Sequence, residues 1–446
     1  YHSETTAYWE EHVWENVLSF NKAFGKHSVN AVAGTSTMAR KYTWNSVGVE
    51  GKSTTYKVED GQLVIGEQPG GFLDPGFSTI GAGAGGTYDG DGTKWDYRRV
   101  SFFGRVNYNY NDRYLIQATV RSDGSSKFGA DNRWGVFPSI AVGWRICEEE
   151  FFPKGIALNN LKLRASWGRL GNENALGYYD FLALISTYNT KYQGYVKGNG
   201  DNAWAGSIAR GLENRSLKWE TTDTKNIGLD FGFFNQRLTI SPEFYINRSS
   251  NLLLNAKLPT SSGYNSMVIN AGETENKGFE VSLTWNAINT KNYGLTFSGN
   301  VGFNKNKVKS LGSLTQYSAS SGWASTQIQD DYIVKPGHSV GEIYGYISDG
   351  RYEVSDFEDY YATGEKWVLK EGVVNNSSVI GTSYLRPGAL KLKNMNDDNV
   401  IDAKDRTVIG NTNPKASGGF SLSGRVYGFD LSANFTYSIG NDVYNA

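Results

Sequence analysis

Apolar and polar residues alternate one by one along many short stretches of this chain. The stretch FFGRVNYNYNDRYLIQATVR shows the pattern best. Before its turn at 111–113, Phe102, Val106 and Tyr108 share one face, and the intervening polar side chains share the other. A period of two over nine or more residues predicts an amphipathic strand. Strands of about 9–11 residues are also long enough to cross a bilayer when they are tilted.

The same alternation predicts twelve strands, at 14–20, 27–36, 99–110, 114–123, 134–146, 160–169, 222–233, 237–248, 277–286, 293–304, 418–427 and 430–438. Mostly tight connections, at 21–26, 111–113, 147–159, 234–236, 287–292 and 428–429, alternate with mostly long ones, at 37–98, 124–133, 170–221, 249–276 and 305–417. Tight turns on one side and long loops on the other are typical of outer-membrane barrels. The sequence therefore predicts an all-β fold, a transmembrane, antiparallel up-and-down β-barrel with short periplasmic turns and long extracellular loops.

A soluble β-sandwich is the alternative fold, because its strands also alternate between a core face and a water face. On that interpretation the chain is a soluble surface protein for binding or adhesion. Aromatic residues favour the barrel, since they gather beside the tight turns, where a barrel has its interfacial girdle. They are Tyr108, Tyr110, Tyr114, Phe231, Phe233, Trp285 and Tyr293. We therefore expect a protein of the bacterial outer membrane.

Composition excludes several other classes of protein. The chain has 446 residues, a formal net charge of −1 and a mean hydropathy of −0.47. This charge gives no basic stripe for nucleic acid, and the sequence has no run of about 18 apolar residues for a membrane helix. The single cysteine, Cys147, excludes a disulfide within the chain. The histidines are scattered and no catalytic motif is present, so we expect no catalytic residues and no enzyme activity.

Seven segments of the chain resemble the SusC/RagA family of TonB-dependent outer-membrane transporters. They are RYLIQATVRSDGSSKFGADNRWGVFPSIAVGWRICEEEFF (113–152), LKLRASWGRLGNENALGYY (161–179), LKWETTDTKNIGLDFGFFNQRLTISPEFY (217–245), NKGFEVSLTW (276–285), GHSVGEIYGYISDGRY (337–352), NVIDAKDRTVIGNTNPKASGGFS (399–421) and GFDLSANFTYSIGNDVYN (428–445). The resemblance implies a barrel of about 22 strands closed by a plug. It also implies TonB-dependent active import of large nutrients, which are oligosaccharides or peptides.

The resemblance further implies several partners. These are a SusD-like lipoprotein that acts as a lid, the TonB complex through an N-terminal region, the lipid of the outer membrane, and a second transporter–lid pair in a dimer. The matched segments correspond to the middle and later parts of the barrel. We therefore expect residues 1–446 to be part of the barrel domain, with the plug and the terminal strands outside this sequence. A siderophore-type TonB receptor on the same barrel is the remaining alternative.

The segment NMNDDNVIDAKD has the spacing of an EF-hand-type calcium loop. Oxygen-bearing side chains fall at relative positions 1, 3, 5, 9 and 12, and a backbone carbonyl falls at position 7. The ligands predicted in this way are Asn394, Asn396, Asp398, Val400, Asp402 and Asp405. The loop departs from the pattern because position 1 is Asn and position 6 is Asn399 rather than glycine. We expect Ca²⁺ in an extracellular loop and no other cofactor.

The remaining predicted contacts concern the substrate and the lumen. Trp204 and Trp323 lie in small, polar surroundings within long loops, so we expect them to stack on the substrate. Alternation along the strands assigns a set of polar residues to the wall of a wet lumen. They are Arg105, Asn107, Gln117, Arg121, Lys162, Arg164 and Asp230.

Overall fold

The computed structural model contains one antiparallel sheet of twelve strands. It describes residues 2–50, 52–69, 79–80, 87–188, 195–196, 203–204, 206–209, 211–322, 330–361 and 366–443. The strands of the sheet are β1 (His2–Phe24), β2 (His27–Glu50), β3 (Thr87–Tyr110), β4 (Tyr114–Ser125), β5 (Trp134–Arg145), β6 (Leu158–Asn172), β7 (Glu220–Phe233), β8 (Leu238–Lys257), β9 (Ser266–Asn289), β10 (Tyr293–Ser310), β11 (Ala416–Val426) and β12 (Phe429–Ile439).

Each strand of the sheet pairs antiparallel with the strand that follows it in the chain. This is the up-and-down order that the alternating pattern predicts, so the predicted fold class is confirmed. Among the residues described, β1 and β12 pair on one side only, and the sheet is therefore open at both edges.

Shorter elements lie in the connections. The short strands pair as Lys52–Glu59 with Gln62–Pro69, Ile185–Tyr188 with Gly206–Ala209, Tyr195–Val196 with Ala203–Trp204, Ser348–Arg351 with Leu390–Leu392, and Phe357–Tyr361 with Lys366–Leu369. Tyr317–Ala319, Tyr332–Val334, Glu342–Gly345 and Thr407–Asn411 form a four-stranded sheet. Helical turns are Ala130–Asn132, Ile146–Glu148, Thr260–Ser262, Val354–Asp356, Ser377–Ile380, Thr382–Tyr384 and Ala403–Asp405. Within the described ranges, no helix has the length and apolar character needed to cross a bilayer.

Every predicted strand overlaps an observed one, but several strands are much longer than the alternation predicts. The predicted loops were wrong at 37–50, 87–98, 249–257 and 266–276, where the strands continue. The physical reason is that amphipathic alternation requires two different environments. Where both faces of a strand meet water, backbone pairing can continue without any alternation of side chains.

The pairing register separates the side chains of the sheet into an apolar face and a polar face. One row across four strands contains Ile227, Phe244, Phe279 and Phe303, each of which is 43–50% exposed. The neighbouring row on the opposite face contains Asn226, Tyr245, Gly278 and Asn304. Exposed aromatic and aliphatic rows of this length are suited to lipid. We call these two surfaces the apolar face and the polar face.

The tight turns are stabilised by specific backbone and side-chain interactions. Asn111 and Asp112 both have positive φ, at 53° and 54°, which short polar side chains tolerate better than most residues. In the next tight connection, Glu149 accepts hydrogen bonds from Tyr114 Oη at 2.6 Å and from Trp144 Nε1 at 2.9 Å. These bonds, with the charge of Arg113 at 3.2 Å, hold the pKa of Glu149 below its ordinary value.

Described residues of two long connections pack against the polar face. A buried cluster joins residues of the connections 126–133 and 173–219 to β5. Its members are Phe128, Phe137, Leu176, Leu217 and Trp219. The indole of Trp219 also donates to the carbonyl of Arg133 at 3.1 Å. A small apolar core therefore lies between these connections and the loop-side end of β5.

The two faces predict opposite responses to a charge at adjacent positions of β9. Val281 lies on the apolar face and Ser282 on the polar face. We expect Val281→Arg in the full-length protein to lower the free energy of unfolding by about 2–4 kcal/mol, because it places a charge in the lipid. Ser282→Arg is the matched control and should change it much less. Urea titration of the protein in lipid vesicles measures both, and equal losses would contradict the assignment of the faces.

Candidate functional site

The polar face carries all seven residues that the sequence assigns to a lumen wall. Residues directly opposite each other on neighbouring strands share a face, and the pairing registers place each of the seven opposite another residue of the polar face. They are Arg105, Asn107, Gln117, Arg121, Lys162, Arg164 and Asp230. Their shared face follows directly from the period of two, and their position in a lumen stays a prediction.

Arg164 is the centre of a charged cluster on the polar face. Its Nε lies 3.1 Å from the carboxylate of Asp230, and its Nη2 lies 3.0 Å from the carboxylate of Glu243. Glu280 lies directly opposite Glu243 on the next strand. The cluster borders a cavity of about 250 Å³ that is also lined by Ser282. Since carboxylates outnumber the guanidinium here, this part of the wall attracts cations and hydrogen-bond donors.

Gly228 allows Arg164 to reach Glu243 across an intervening strand. Gly228 on β7 lies opposite Arg164 on β6 and opposite Glu243 on β8. A Cβ at this position would lie only 2.9 Å from Arg164 Nη2 and 3.1 Å from its Cζ. The missing side chain therefore provides the space in which the guanidinium lies.

Two other arginines of this face pair with near neighbours. Arg121 Nε donates to both oxygens of Asp123, at 2.8 and 2.9 Å, and its guanidinium lies 5.6 Å from the ring of Phe103. Arg105 Nε donates to the hydroxyl of Thr119 at 3.3 Å. Such contacts fix the side chains along the wall and leave the cluster around Arg164 as its most strongly charged part.

An aromatic array lies at the loop-side ends of β1, β2 and β3. Trp9, Tyr42 and Trp95 are directly opposite one another on the polar face, with ring centroids 4.5 and 5.2 Å apart along the row. Trp95 also stacks on Tyr178 at 4.0 Å. The indole of Trp9 is 63% exposed. Rings that are held by neighbours and still exposed offer a rigid surface for stacking.

The loop that supplies Tyr178 is tied to the strands beside the array. Lys127 Nζ donates to the carbonyl of Leu176 at 2.8 Å and lies 5.2 Å from the ring of Tyr178. Tyr97 Oη donates to the buried carboxylate of Glu173 at 2.5 Å. The array is therefore built on elements that hold each other in place.

The longest connection, 311–415, contains a small core of its own. Tyr352 is 1% exposed, and its hydroxyl lies 2.6 Å from both the carbonyl of Val374 and Oδ1 of Asn376. Asn376 Nδ2 donates to the carbonyl of Leu390 at 2.8 Å. Burial raises the pKa of the Tyr352 hydroxyl. This core supports the segment in which the sequence predicts calcium.

The predicted calcium loop has part of the expected geometry. Asn399, at position 6, has a φ of 61°, which is the left-handed conformation usually supplied by glycine there. Asp405 is fully buried, and its two carboxylate oxygens accept backbone N–H groups of Met395 at 2.8 Å and Asp402 at 2.7 Å. Asn394 Oδ1 accepts two further backbone N–H groups of the loop.

Side chains of the loop also bond to one another. Asn396 Nδ2 donates to Asp398 at 2.9 Å, and Asp402 accepts from the backbone N–H of Lys404 at 2.7 Å. Val400 forms a bridge with Asn375. Over the ranges described, no three acidic, histidine or cysteine side chains are arranged to hold a metal ion. The backbone turn resembles the predicted loop at Asn399, its predicted side-chain ligands bond within the loop, and calcium binding stays a prediction.

The predicted substrate contacts cannot be placed by this structure. Trp323 and the side chain of Trp204 lie outside the described residues. The sequence analysis missed the aromatic array. The strands predicted for β1 and β3 begin only at residues 14 and 99, which leaves Trp9 and Trp95 in predicted non-strand segments. A signal was available, since Trp9 and Trp95 continue the spacing of the polar face in their strands.

Comparison with known proteins places the chain among membrane receptors. The model of the family described as "TonB dependent receptor-like, beta-barrel" matches residues 3–446. The TonB-dependent receptor P39 of Formosa agariphila is 30% identical over 449 residues, which cover 96% of this chain and 39% of that protein. The TonB-dependent receptor SusC of Bacteroides thetaiotaomicron is 32% identical over 346 residues, which cover 77% of this chain and 31% of that protein.

A solved structure supports the same fold. The RagAB peptide transporter superposes with a TM-score of 0.73 at 22% identity, over 98% of this chain and 42% of that chain. The matched parts thus span about a third to two fifths of the length of these proteins.

The role of Gly228 can be tested by filling the space that it leaves. We expect Gly228→Ala in the full-length protein to lower the free energy of unfolding by about 1 kcal/mol, because Arg164 is displaced from Glu243 and the pair is partly screened by water. Combined with Arg164→Gln, it should cost little more, since the ion pair is already lost. Gly302→Ala is the control, because its Cβ would meet Glu280 Cγ at an ordinary 3.5 Å. Additive losses in the double variant would contradict this account.

We propose that the loop 394–405 binds Ca²⁺ with a Kd of about 10⁻⁴–10⁻³ M, since only three of its ligands are carboxylates. Calcium should then protect the connection 311–415 of the full-length protein from trypsin, and EGTA should remove the protection. Asp398→Ala should abolish the effect of calcium. Asp397→Ala, a neighbouring acid at a position that is not a ligand in the pattern, should preserve it. Cleavage that is the same in calcium and in EGTA would overturn the proposal.

Proposed function

This chain belongs to the TonB-dependent receptor-like β-barrel family, and from that membership we propose that it forms part of a transporter for large nutrients. The barrel lies in the bacterial outer membrane, as do the family's members. The proposed reaction is TonB-dependent import, and no bond of the nutrient is broken. Its relatives are receptors and transporters and not enzymes.

The observation that carries the proposal is the continuity of the polar face. It extends from the cluster around Arg164 to the aromatic array at the loop-side ends of β1–β3. The cluster lies in the apolar belt, by which we mean the strand segments whose opposite face carries the apolar rows. A nutrient that enters from the loop side would meet exposed rings first and charged and amide side chains afterwards. Such a path suits large polar molecules, because a polar wall can replace the hydrogen bonds to water that their groups give up on contact.

The proposed cargo is an oligosaccharide or a peptide. RagAB is described as a peptide transporter, and its fold is the one found here. Exposed aromatic rings can stack on the apolar face of a sugar ring and equally on peptide side chains. We therefore propose both classes, with Trp9 as a contact to the cargo, and we retain Trp204 and Trp323 as further proposed contacts.

The proposed partners follow from the same relatives. A SusD-like lipoprotein would cover the loop side as a lid, and the TonB complex would supply the energy for import. The loops fit this proposal, because the buried cluster around Trp219 and Leu217 orders connections on the side that a lid would cover. Two such transporter–lid pairs would form the proposed dimer.

Isolation of the full-length protein tests this function. The protein is purified in a nonionic detergent from its own cells, and mass spectrometry identifies bound small molecules and proteins. We expect a lipoprotein and a glycan or a peptide. A protein that is monodisperse without detergent would support the soluble-sandwich alternative, and a bound iron–siderophore would support the siderophore receptor.

Uptake of the identified cargo then tests the path. We expect Trp9→Ala to lower uptake at least about tenfold, because it removes an exposed stacking surface. Trp14→Ala is a matched control on the same strand, since Trp14 is 72% exposed on the opposite, apolar face. A protonophore should abolish uptake by both the wild type and the control. Equal uptake by the Trp9 and Trp14 variants would refute the role of the aromatic array.

A further inference from the structure

Basic residues form a row along the apolar face, at the loop-side limit of its apolar stretches. On five consecutive strands, β6 to β10, the first charged residue beyond the apolar stretch is a lysine or an arginine. These residues are Arg169, Lys225, Arg248, Lys277 and Lys305, which follow Trp167, Ile227, Ile246, Phe279 and Phe303 respectively. We call these five residues the basic rim.

The basic rim has more positive charge than its neighbours neutralise. Arg169 pairs with Asp223 at 3.0 Å, Arg248 with Glu273 at 2.7 Å, and Lys277 with Glu275 at 3.2 Å. In the part of the chain that the structure describes, no carboxylate lies within ion-pair distance of Lys225 or Lys305.

Two lysines of the rim also face each other. Lys277 on β9 lies directly opposite Lys305 on β10. Like charges at opposed positions of neighbouring strands destabilise a sheet unless a counter-charge lies near them. Glu275 balances Lys277 at 3.2 Å, so Lys305 carries the charge that is left over. An anion between Lys305 and Lys225 would balance the row, and the charges therefore point to a negatively charged ligand.

An apolar groove begins directly below Lys225. It is a cavity of about 480 Å³ between β5 and β8. Its walls include Ile140, Val142, Trp167, Ile227, Phe244 and Ile246, and Lys225 lies at its rim. A ligand that contacts both the groove and the lysines must have an apolar part and an anionic part on the same molecule.

We propose that the basic rim and the groove bind a phosphate-bearing membrane lipid. The phosphate lies among Lys225, Lys277 and Lys305, and an acyl chain occupies the groove. Lysine suits this position, because its apolar stem can lie along the lipid-facing wall while its ammonium group reaches the head-group region. The rim is on the loop side of the apolar belt, so the lipid belongs to the outer leaflet. The inference depends on the barrel lying in a membrane and is independent of the cargo that it transports.

Lipid titration of the full-length protein in a nonionic detergent tests the site, with bound lipid counted by native mass spectrometry. The probes are dioleoyl phosphatidic acid, dioleoyl phosphatidylcholine and inorganic phosphate. We expect phosphatidic acid to bind at least about tenfold more tightly than phosphatidylcholine, because only its head group has a net negative charge. We also expect inorganic phosphate to compete poorly. Equal binding of both lipids, or full displacement by inorganic phosphate, would overturn the proposal.

Charge-neutralising variants then locate the site. The triple variant Lys225→Gln, Lys277→Gln, Lys305→Gln should weaken the binding of phosphatidic acid at least about tenfold and leave phosphatidylcholine unchanged. The matched control is Lys218→Gln, Lys291→Gln, Lys370→Gln, which removes the same charge at exposed positions outside the rim. If the triple variant does not fold, the pair Lys225→Gln, Lys305→Gln serves instead. Wild-type binding by either rim variant, or an equal loss in the control, would refute the site.

Discussion

Backbone hydrogen bonding between successive strands is the interaction on which the rest of this structure depends. A strand inside a membrane must pair all of its N–H and C=O groups, because lipid offers no substitute for water. The strands β2 to β11 meet this requirement in the simplest order, with a sequence neighbour on each side, whereas β1 and β12 pair on one side only among the described residues. Pairing fixes the register, and the register determines which side chains face lipid and which form the polar face. The cluster around Arg164, the aromatic array and the basic rim are all consequences of that register.

Side-chain contacts add to the backbone pairing between strands, and they depend on small residues as well as on charged ones. Gly228 carries no side chain between Arg164 and Glu243, and this gap turns two residues on separate strands into an ion pair. Above the apolar belt, the connections add a buried cluster that holds them against the strands. The site is therefore a continuous surface with contributions from many strands, and no single motif encodes it.

The sequence predicts the strands where their two faces meet different surroundings, and it fails where they do not. From 99 to 110 and from 114 to 123 the alternation is clear. The second of these strands agrees closely with the observed Tyr114–Ser125, and the first ends at Tyr110 as predicted but begins earlier, at Thr87. Around Trp9 and Trp95 both faces are outside the apolar belt, so the alternation weakens although pairing continues. The polar residues of the wall could be assigned by their spacing alone. Contacts that join distant segments, such as the stacking of Trp95 on Tyr178, could not, because they depend on the path of a long loop.

The extra length of β1, β2 and β3 has a mechanical consequence. These strands are paired over 23 or 24 residues, which is far more than a bilayer requires. Their ends therefore project beyond the membrane as a rigid extension of the sheet. A flexible loop loses conformational freedom each time it captures a molecule. The paired backbone of this extension has already lost that freedom during folding. It therefore holds its aromatic rings in one fixed arrangement, and a molecule that bound there would meet a preformed surface.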